Sequence, residues 1–308
     1  MNENIITWLL DSDPSIKWQV MRDLLNLPEK EYSLERAKIE SEGWGRSLLS
    51  FQDSNGIWGN GIYSPKWISS TYTLLLLKNF GLNPNNHQAQ KGSLILLNKG
   101  FYQDGGINFF GSLKHSETCV TGMILSLLSY FKINDTRIIK LAEFLLNQQL
   151  KDGGWNCQTF NGATHSSFHT TISVLEGLKD FNLENDIYGN EIIKSRDRAI
   201  EFLLEHQLYK SHRTGKTVDN RMIRFTFPTR WRYDILRCLD FFMECHVPKD
   251  ERMNDAIGIT QKRQKKEGFW IQNSAYPGQV FFEMEETGKP SRWNTLRALR
   301  VLNYYTGK

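Results

Sequence analysis

The sequence predicts an all-α protein with the architecture of an α/α toroid, a ring of inner helices surrounded by outer ones. The first observation is a turn with glycine and aromatic residues that recurs along the chain, as QDSNGIWG (52–59), QDGGINF (103–109), KDGGWNC (151–157) and, more loosely, KEGFWIQ (266–272). The glycines Gly56, Gly105 and Gly153 lie 49 and 48 residues apart. A fixed period of that length indicates one supersecondary unit stacked on copies of itself.

The second observation is a pair of helical patterns between successive turns. One pattern is apolar nearly all round and predicts inner helices at 68–80, 118–131 and 170–181. The other is amphipathic and more highly charged, and predicts outer helices at 87–100, 136–150 and 189–208. Each period is therefore predicted to form one helical hairpin.

The ends of the chain continue the pattern and favour closure into a ring. A pair at 13–25 and 33–51 opens the series, a pair at 228–246 and 249–266 follows the third full period, and 290–305 supplies a last inner helix. This last helix is as apolar as the middle ones, whereas a linear solenoid would need a polar cap at its end. We therefore expect a single toroid domain over 1–308, with about six inner and five or six outer helices.

Composition excludes several classes of protein. The 38 basic and 34 acidic residues are nearly balanced, with a net charge of +4, and no long basic run is present, which argues against a nucleic-acid partner. No segment approaches the roughly 20 apolar residues of a membrane span, and the first residues lack the pattern of a secretory signal. We expect a cytoplasmic protein whose four cysteines are thiols.

The repeated turns resemble the Gln/Trp-type repeat of the terpenoid cyclases and of the β subunits of protein prenyltransferases. The resemblance implies a toroid whose inner helices line a central cavity for a hydrophobic, isoprenoid-like small-molecule substrate. The sequence lacks the Asp-x-Asp-Asp run with which squalene-type cyclases protonate their substrate. It also lacks the aspartate-rich motifs that hold magnesium and diphosphate in class I terpene synthases.

The comparison with prenyltransferases extends to individual residues. Their zinc is held by Asp-x-Cys at the start of one inner helix and by a histidine on the next. Here Glu117 and Cys119 stand in the first position, Lys114 precedes them, and His169 stands in the second position. The resemblance thus implies a zinc-dependent, prenyltransferase-like transferase, and it also implies a partner protein subunit.

Superposing neighbouring repeats gives a second argument for a metal site. HSETCVT (115–121) aligns with HSSFHTT (165–171), so that His115 matches His165 and Cys119 matches His169. Residues four apart on a helix share a face. Thiolate and imidazole ligands suit tetrahedral Zn²⁺. The predicted metal ligands are Cys119, Cys157, His165, His169 and Glu117; the alternative is that the cysteines pack as small apolar residues and the histidines hydrogen-bond the turns.

Basic residues near the two segments that interrupt the repeat, 209–227 and 273–290, predict an anion-binding site. Guanidinium groups suit phosphate or carboxylate, and long connections of this kind are often functional loops. The predicted substrate-binding residues are Lys114, His115, His212, Arg213, Arg230, Arg232 and Arg292. The alternative is that these arginines pair with acidic residues of the neighbouring repeat.

Two functions follow from these patterns. The first is a prenyltransferase-like or terpene cyclase-like enzyme that acts on an isoprenoid or other hydrophobic substrate, with a Cys/His zinc site. The alternative is a non-catalytic toroid that binds a lipid or a protein partner. The sequence identifies no catalytic acid, base or nucleophile. We also expect a stabilising rather than a functional role for five turn residues, namely Trp58, Trp155, Trp270, Gln52 and Gln149.

Overall fold

The architecture is that of an all-α protein, as predicted. The computed structural model describes residues 3–181 and 188–307. The helices of these residues are α1 Glu3–Leu10, α2 Pro14–Asp23, α3 Glu29–Ala37, α4 Gly43–Ser50, α5 Ser70–Phe80, α6 His87–Gly100, α7 Thr118–Tyr130, α8 Arg137–Asn147, α9 Phe168–Asp180, α10 Gly189–Glu205, α11 Ile235–Glu244, α12 Asn254–Lys262 and α13 Arg292–Thr306. The strands β1 Trp270–Ile271 and β2 Pro290–Ser291 pair antiparallel.

Six helices form the inner layer of a closed ring, in the order α2, α5, α7, α9, α11 and α13. The last of them, α13, packs against α2 as well as against α11. The Arg300 guanidinium donates to the Asp23 carboxylate at 3.0 Å, which joins the last inner helix to the first. The Trp18 indole N–H donates to the Phe80 carbonyl at 2.7 Å and joins α2 to α5. The chain therefore closes on itself, and the outer helices α4, α6, α8, α10 and α12 pack against this inner layer.

Three of the repeated turns carry a tryptophan that joins an outer helix to the next inner one. The Trp155 indole N–H donates to the Leu145 carbonyl at the end of α8, at 2.7 Å. Its backbone N–H donates to the Thr171 hydroxyl of α9, at 3.0 Å. The same pair of bonds recurs at Trp58, to Leu48 and Ser70, and at Trp270, to Thr260 and Thr295. All three side chains are fully buried, as the prediction of a role in stability requires.

Gln52 and Gln149 also have the structural role that the sequence predicted. The Gln149 side-chain amide donates to the Gly153 carbonyl of its own turn and to the Ser195 carbonyl of α10. Gln52 bonds the Gly56 and Gln88 carbonyls in the same way. These bonds fasten each turn to the outer helix that follows it.

The predicted helix bounds are wrong in two segments, 33–51 and 228–246. The segment 33–51 is divided between α3, a 3₁₀ turn and α4, because Gly43 has φ of 60°, in the left-handed region that favours glycine. A Cβ on Gly43 would lie 2.0 Å from the Asp13 carboxylate. In the second segment, α11 begins at Ile235 rather than at 228. The carboxylate of Asp234, the residue before it, caps the helix by accepting from the Arg237 backbone N–H.

The two interrupting segments fold as loops. Residues 273–290 are enclosed by the β1–β2 pair, and their Gln279 exchanges backbone hydrogen bonds with Lys66 and Trp67, just before α5. The segment 209–227 contains a short hairpin, with a bridge between Lys210 and Thr217. None of the helices that the structure describes has the length and apolar character needed to span a membrane.

Candidate functional site

The centre of the ring is a cavity of about 1030 Å³. A volume of this size lies at the upper end of the range of small-molecule sites. Every inner helix contributes to its wall, through residues such as Trp18, Tyr72, Tyr130, Glu176, Asp240 and Trp293. The toroid therefore provides the internal space that a central binding site requires.

The wall of this cavity is strongly charged, which the sequence analysis did not foresee. Its lining includes eight lysine and arginine side chains and five carboxylates. Many of these groups lie on helices that their apolar pattern marked as inner. An isolated charge in such a position carries a large desolvation cost, so the arrangement of the partners decides what the cavity can bind.

Hydrogen bonds and ion pairs link neighbouring inner helices around the wall. The Lys78 ammonium of α5 donates to the Ser126 hydroxyl of α7 at 2.6 Å and pairs with Asp180 of α9. The Arg237 guanidinium of α11 binds the Glu176 carboxylate of α9 through two bonds, of 2.6 and 2.7 Å. These contacts hold α5, α7, α9 and α11 together, and all of these side chains except Ser126 line the cavity.

Arg300 completes this polar belt between α11, α13 and α2. Its guanidinium donates to Asp240 at 2.5 Å, to Asp23 at 3.0 Å and to the Gln19 side-chain oxygen at 3.1 Å. Burial disfavours the charged form of Arg300, but its carboxylate neighbours, Asp240 first, more than offset this and raise its pKa above the ordinary value. The charge of this buried side chain is thus fully compensated.

Each carboxylate of the described cavity wall has a cationic partner. Asp23 and Asp240 pair with Arg300, Glu176 pairs with Arg237, Asp180 pairs with Lys78, and Glu244 pairs with Lys179. Burial opposes ionisation of Glu244, but the nearby Lys179 and Arg300 charges prevail and lower its pKa to about 2. The Arg237 charge likewise lowers the pKa of Glu176, against the effect of its burial, so Glu176 and Glu244 are held as anions, which is the wrong state for a proton donor.

Three donors on the cavity wall are left without an acceptor among the described residues. Arg297 Nη1 and Trp293 Nε1 are buried and unpaired, although the other side of the Arg297 guanidinium reaches Asp240. Arg230 makes no ion pair in the described part of the chain, and its guanidinium lies 5.4 Å from the centre of the Trp67 ring. Burial lowers the pKa of Arg230 to about 10, so it remains charged at neutral pH. An anionic group would satisfy these donors.

The predicted metal site is only partly assembled. Cys119 lies in the first turn of α7 and Cys157 in the turn before α9, and the two thiols are close enough for each to shift the pKa of the other. The Cys157 sulfur also lies 3.1 Å from the Thr170 hydroxyl oxygen. The interaction with Cys119 lowers the pKa of Cys157 to about 7, whereas the same interaction, together with burial, raises the pKa of Cys119. Glu117 is close enough to raise both pKa values.

The three histidines do not join the two cysteines. His169 Nδ1 accepts the Tyr233 backbone N–H at 2.8 Å, His165 is exposed, and the His115 ring lies 3.6 Å from the centre of the Phe160 ring. Across the residues that the structure describes, no three His, Cys, Asp or Glu side chains are grouped to hold a metal ion. The predicted zinc ligands are therefore not assembled around one point, and zinc binding stays a prediction.

The prediction that His115 and His165 lie on helices was wrong. Helix α7 begins at Thr118 and α9 begins at Phe168, so both histidines precede their helices and the four-residue helical spacing does not apply. The cause is local. Ser166 donates its backbone N–H to Asp152 at 2.8 Å, and Ser116 donates to Asp104 in the same way, which ties each segment to the preceding turn.

The predicted anion-binding residues lie in several separate places. Lys114 and Arg213 are exposed, and His212 Nδ1 lies 3.0 Å from His206 Nε2. The guanidinium of Arg292 donates to the Asp11 and Trp8 carbonyls, and that of Arg232 lies over the Trp231 and Tyr276 rings. Of the seven predicted residues, only Arg230 lines the cavity. The sequence analysis missed four basic residues that line the cavity, Lys78, Arg237, Arg297 and Arg300. The signal that could have found them is a charged residue within an otherwise apolar inner helix.

The buried side chain of His169 is expected to make the stability of the protein depend on pH. Burial, helped by Arg232 and Arg237, lowers its pKa from 6.5 to about 4. The unfolded chain therefore binds more protons than the native protein between these values, and stability falls as the pH drops through this window. As the pH drops across this window, we expect the free energy of unfolding of the wild type to fall by on the order of 2 kcal/mol more than that of His169→Asn. Urea titrations at pH values across the window measure this; parallel curves for the two proteins would contradict it.

No protein-family model matches the chain, and no curated protein is significantly similar to it. Among solved structures, type II terpene cyclase MstE from Scytonema is similar to the chain at 16% identity and a TM-score of 0.47, over 94% of this chain and 87% of that one. A variant of that cyclase, in complex with its substrate geranylgeranyl dihydroxybenzoate, has a TM-score of 0.48 at 16% identity, over 94% and 86% of the two chains.

A further similar structure is that of a protein from Actinoplanes, at 15% identity and a TM-score of 0.47, over 95% of this chain and 90% of that one. The terpene cyclase belongs to the group of proteins that the repeated turns resemble. Because these TM-scores are below 0.5, the closed ring rests on the contacts of this chain itself. The site is likewise defined by its own residues.

Proposed function

We propose that the central cavity binds a small organic molecule that combines an anionic group with an apolar part. The observation that carries this proposal is the set of unpaired donors on the wall, Arg230, Arg297 Nη1 and Trp293 Nε1. A buried donor without an acceptor costs about 1–3 kcal/mol, and a bound phosphate or carboxylate removes that cost. The excess of cations over carboxylates in the wall also favours an anion.

The remainder of the wall suits the apolar part of such a ligand. Tyr72, Leu75 and Leu76 of α5 face the cavity, together with Phe227 and Trp293, whose rings stack at 4.1 Å. Aromatic and aliphatic side chains with a few directed polar groups are the usual composition of a small-molecule site. A prenyl diphosphate has both required parts, and it is therefore the ligand class with which the proposal is tested.

Binding, rather than carbocation cyclisation, is the activity that this geometry supports. Cyclisation started by protonation needs an acid with a proton to give, and the wall's carboxylates are paired with cations. Prenyl transfer through zinc would need ligands beyond Cys119 and Cys157. The proposal accordingly assigns a ligand to the cavity and no chemical step.

Isothermal titration with geranylgeranyl diphosphate and with the uncharged alcohol geranylgeraniol tests the proposal. We expect the diphosphate to bind at least about 10-fold more tightly, and Arg230→Met to remove most of that difference, because charge-assisted hydrogen bonds contribute about 1.5–3 kcal/mol each. Arg213→Met is the matched control, since Arg213 is exposed and away from the cavity wall. Equal affinity for the two ligands, or an equal loss in both variants, would refute the proposal.

A further inference from the structure

The central cavity opens where the inner helices end. Its exposed wall residues lie in or just after the last turns of these helices, and they are Asn26, Asn79, Glu244, His246 and Tyr304. Where the inner helices begin, the wall residues Tyr72, Phe227 and Trp293 are buried. A ligand therefore enters past the C-terminal ends of the inner helices, and the donors of Arg230 and Trp293 lie at the buried end.

The open mouth of the cavity is polar, although the wall further in is partly apolar. Its exposed residues carry amide, carboxylate, imidazole and phenol groups, and Arg22 and Lys179 line the same end. The apolar residues Leu75, Leu76 and Phe241 lie in the middle of α5 and α11. A hydrocarbon tail that ended at this mouth would gain little from burial. The wall thus suits a ligand that is polar at both ends.

Arg36 lines this mouth from the last turn of α3, without an acidic partner among the described residues. Its Nε donates to the Gly81 carbonyl at 2.7 Å, and its Nη2 donates to the Tyr130 hydroxyl at 3.0 Å. The guanidinium also lies 5.0 Å from the centre of the Trp18 ring. These contacts fix its orientation, and its remaining N–H groups are available to an anion.

A second guanidinium adds to the positive charge of the mouth. The Arg22 guanidinium lies 4.5 Å from the centre of the same Trp18 ring, and its partner Asp23 is shared with Arg300. The ring itself is held in place, because a Cβ on Gly81 would lie 2.3 Å from it. The mouth thus has a positively charged site that is built before any ligand binds.

The two groups of unpaired donors are separated along the ring axis. Arg230 lies over the Trp67 ring, which packs at 4.7 Å against Tyr72 in the first turn of α5. Arg36 contacts Gly81, the residue that follows α5. The nine residues from Tyr72 to Gly81 rise about 14 Å along the helix. An extended hydrocarbon chain bridges such a distance.

We propose that the ligand of the cavity is a long-chain molecule with an anionic group at each end, such as a long-chain dicarboxylate. This inference rests on the function proposed above and adds a second anion site to it. One anionic group binds the donors at the buried end, and the other binds Arg36 at the open mouth. The chain between them contacts the apolar part of the wall.

Isothermal titration with tetradecanedioic acid and with its monomethyl ester tests the inference, because the two probes have the same chain and differ by one charge. We expect the diacid to bind at least about 10-fold more tightly, since hydrogen bonds to a charged group are about twice as strong as neutral ones. In Arg36→Met this difference should disappear, while the affinity for the ester stays unchanged. Arg46→Met is the matched control, since Arg46 is exposed on α4 and away from the cavity wall.

Four results would overturn the inference. Equal affinity of the wild type for the two probes would do so and leave the proposed function standing. Ester binding that is lost in Arg36→Met but kept in Arg230→Met would place a single anion site at the mouth. Tighter binding of the ester in the presence of inorganic phosphate would assign the mouth to a separate small anion. If neither probe binds, the proposed function fails together with this inference.

Discussion

Arg300→Met is expected to lower the free energy of unfolding by about 3–5 kcal/mol, the range found when one partner of a buried ion pair is removed. Arg300 is 8% exposed and compensates two carboxylates, Asp240 and Asp23, that lie on different inner helices. Methionine preserves the apolar stem of the side chain but removes the cation that the two carboxylates share, which leaves Asp23 with Arg22 and Asp240 with the longer contact to Arg297. Urea unfolding followed by circular dichroism measures the loss.

The exposed pair of Arg196 and Asp197 supplies the control for this prediction. Arg196→Met should change stability by less than about 1 kcal/mol, because exposed ion pairs contribute little. A loss below 1 kcal/mol for Arg300→Met would mean that the polar belt does not hold the inner helices together. It would also remove the reason for so many charges in the wall.

Trp155→Ala is expected to cost about 3–5 kcal/mol, the usual range for truncating a fully buried aromatic side chain. The Trp155 side chain is 0% exposed and its indole N–H bonds the end of α8. The substitution therefore removes packing area and the indole donor to the Leu145 carbonyl. Thermal and urea unfolding should both report the loss.

Phe160→Ala is the matched control, since this aromatic residue is 46% exposed and lies outside the helical layers, in a nearby 3₁₀ turn. We expect its effect to be within about 1 kcal/mol, as is usual for surface positions. If the two substitutions had equal effects, the turn tryptophans would not join successive helical hairpins. The interpretation of the repeat as a structural unit would then fail.

The sequence predicted the fold well because the repeat is a local pattern. The spacing of Gly56, Gly105 and Gly153, and the two helical patterns between them, depend on neighbouring residues in the chain. The ring closure was predicted from the apolar character of 290–305, and α13 does pack against α2. The additional helix α1 and the division of 33–51 were missed, since short helices at a chain end have weak periodicity.

The site was less predictable because its contacts are non-local. Arg300 and Asp23 are 277 residues apart, and no pattern along the chain announces that they meet. The proximity of Cys119 and Cys157 was anticipated, because the turn that carries Cys157 leads into α9, the inner helix next to α7. The histidines failed the same test, since Asp104 and Asp152 hold His115 and His165 outside the helices on which their spacing was read.

The charged wall joins the inner helices, and we propose that it also binds a ligand. The paired side chains join the inner helices, and their carboxylates are compensated within the protein. The remaining donors, on Arg230, Arg297 and Trp293, face the cavity without an acceptor from the described chain. A toroid built in this way suits an anionic amphiphile better than a purely hydrocarbon ligand.

A double-mutant cycle between Arg300 and Asp23 tests the closed ring most directly, because this contact joins the last inner helix to the first. Unfolding free energies of Arg300→Met, Asp23→Leu and the double variant give the coupling energy. A closed ring predicts a coupling of at least about 1 kcal/mol, as found for residues in direct contact. Additivity within about 0.3–0.5 kcal/mol, as for distant sites, would mean that the two ends do not meet and that no central cavity is enclosed.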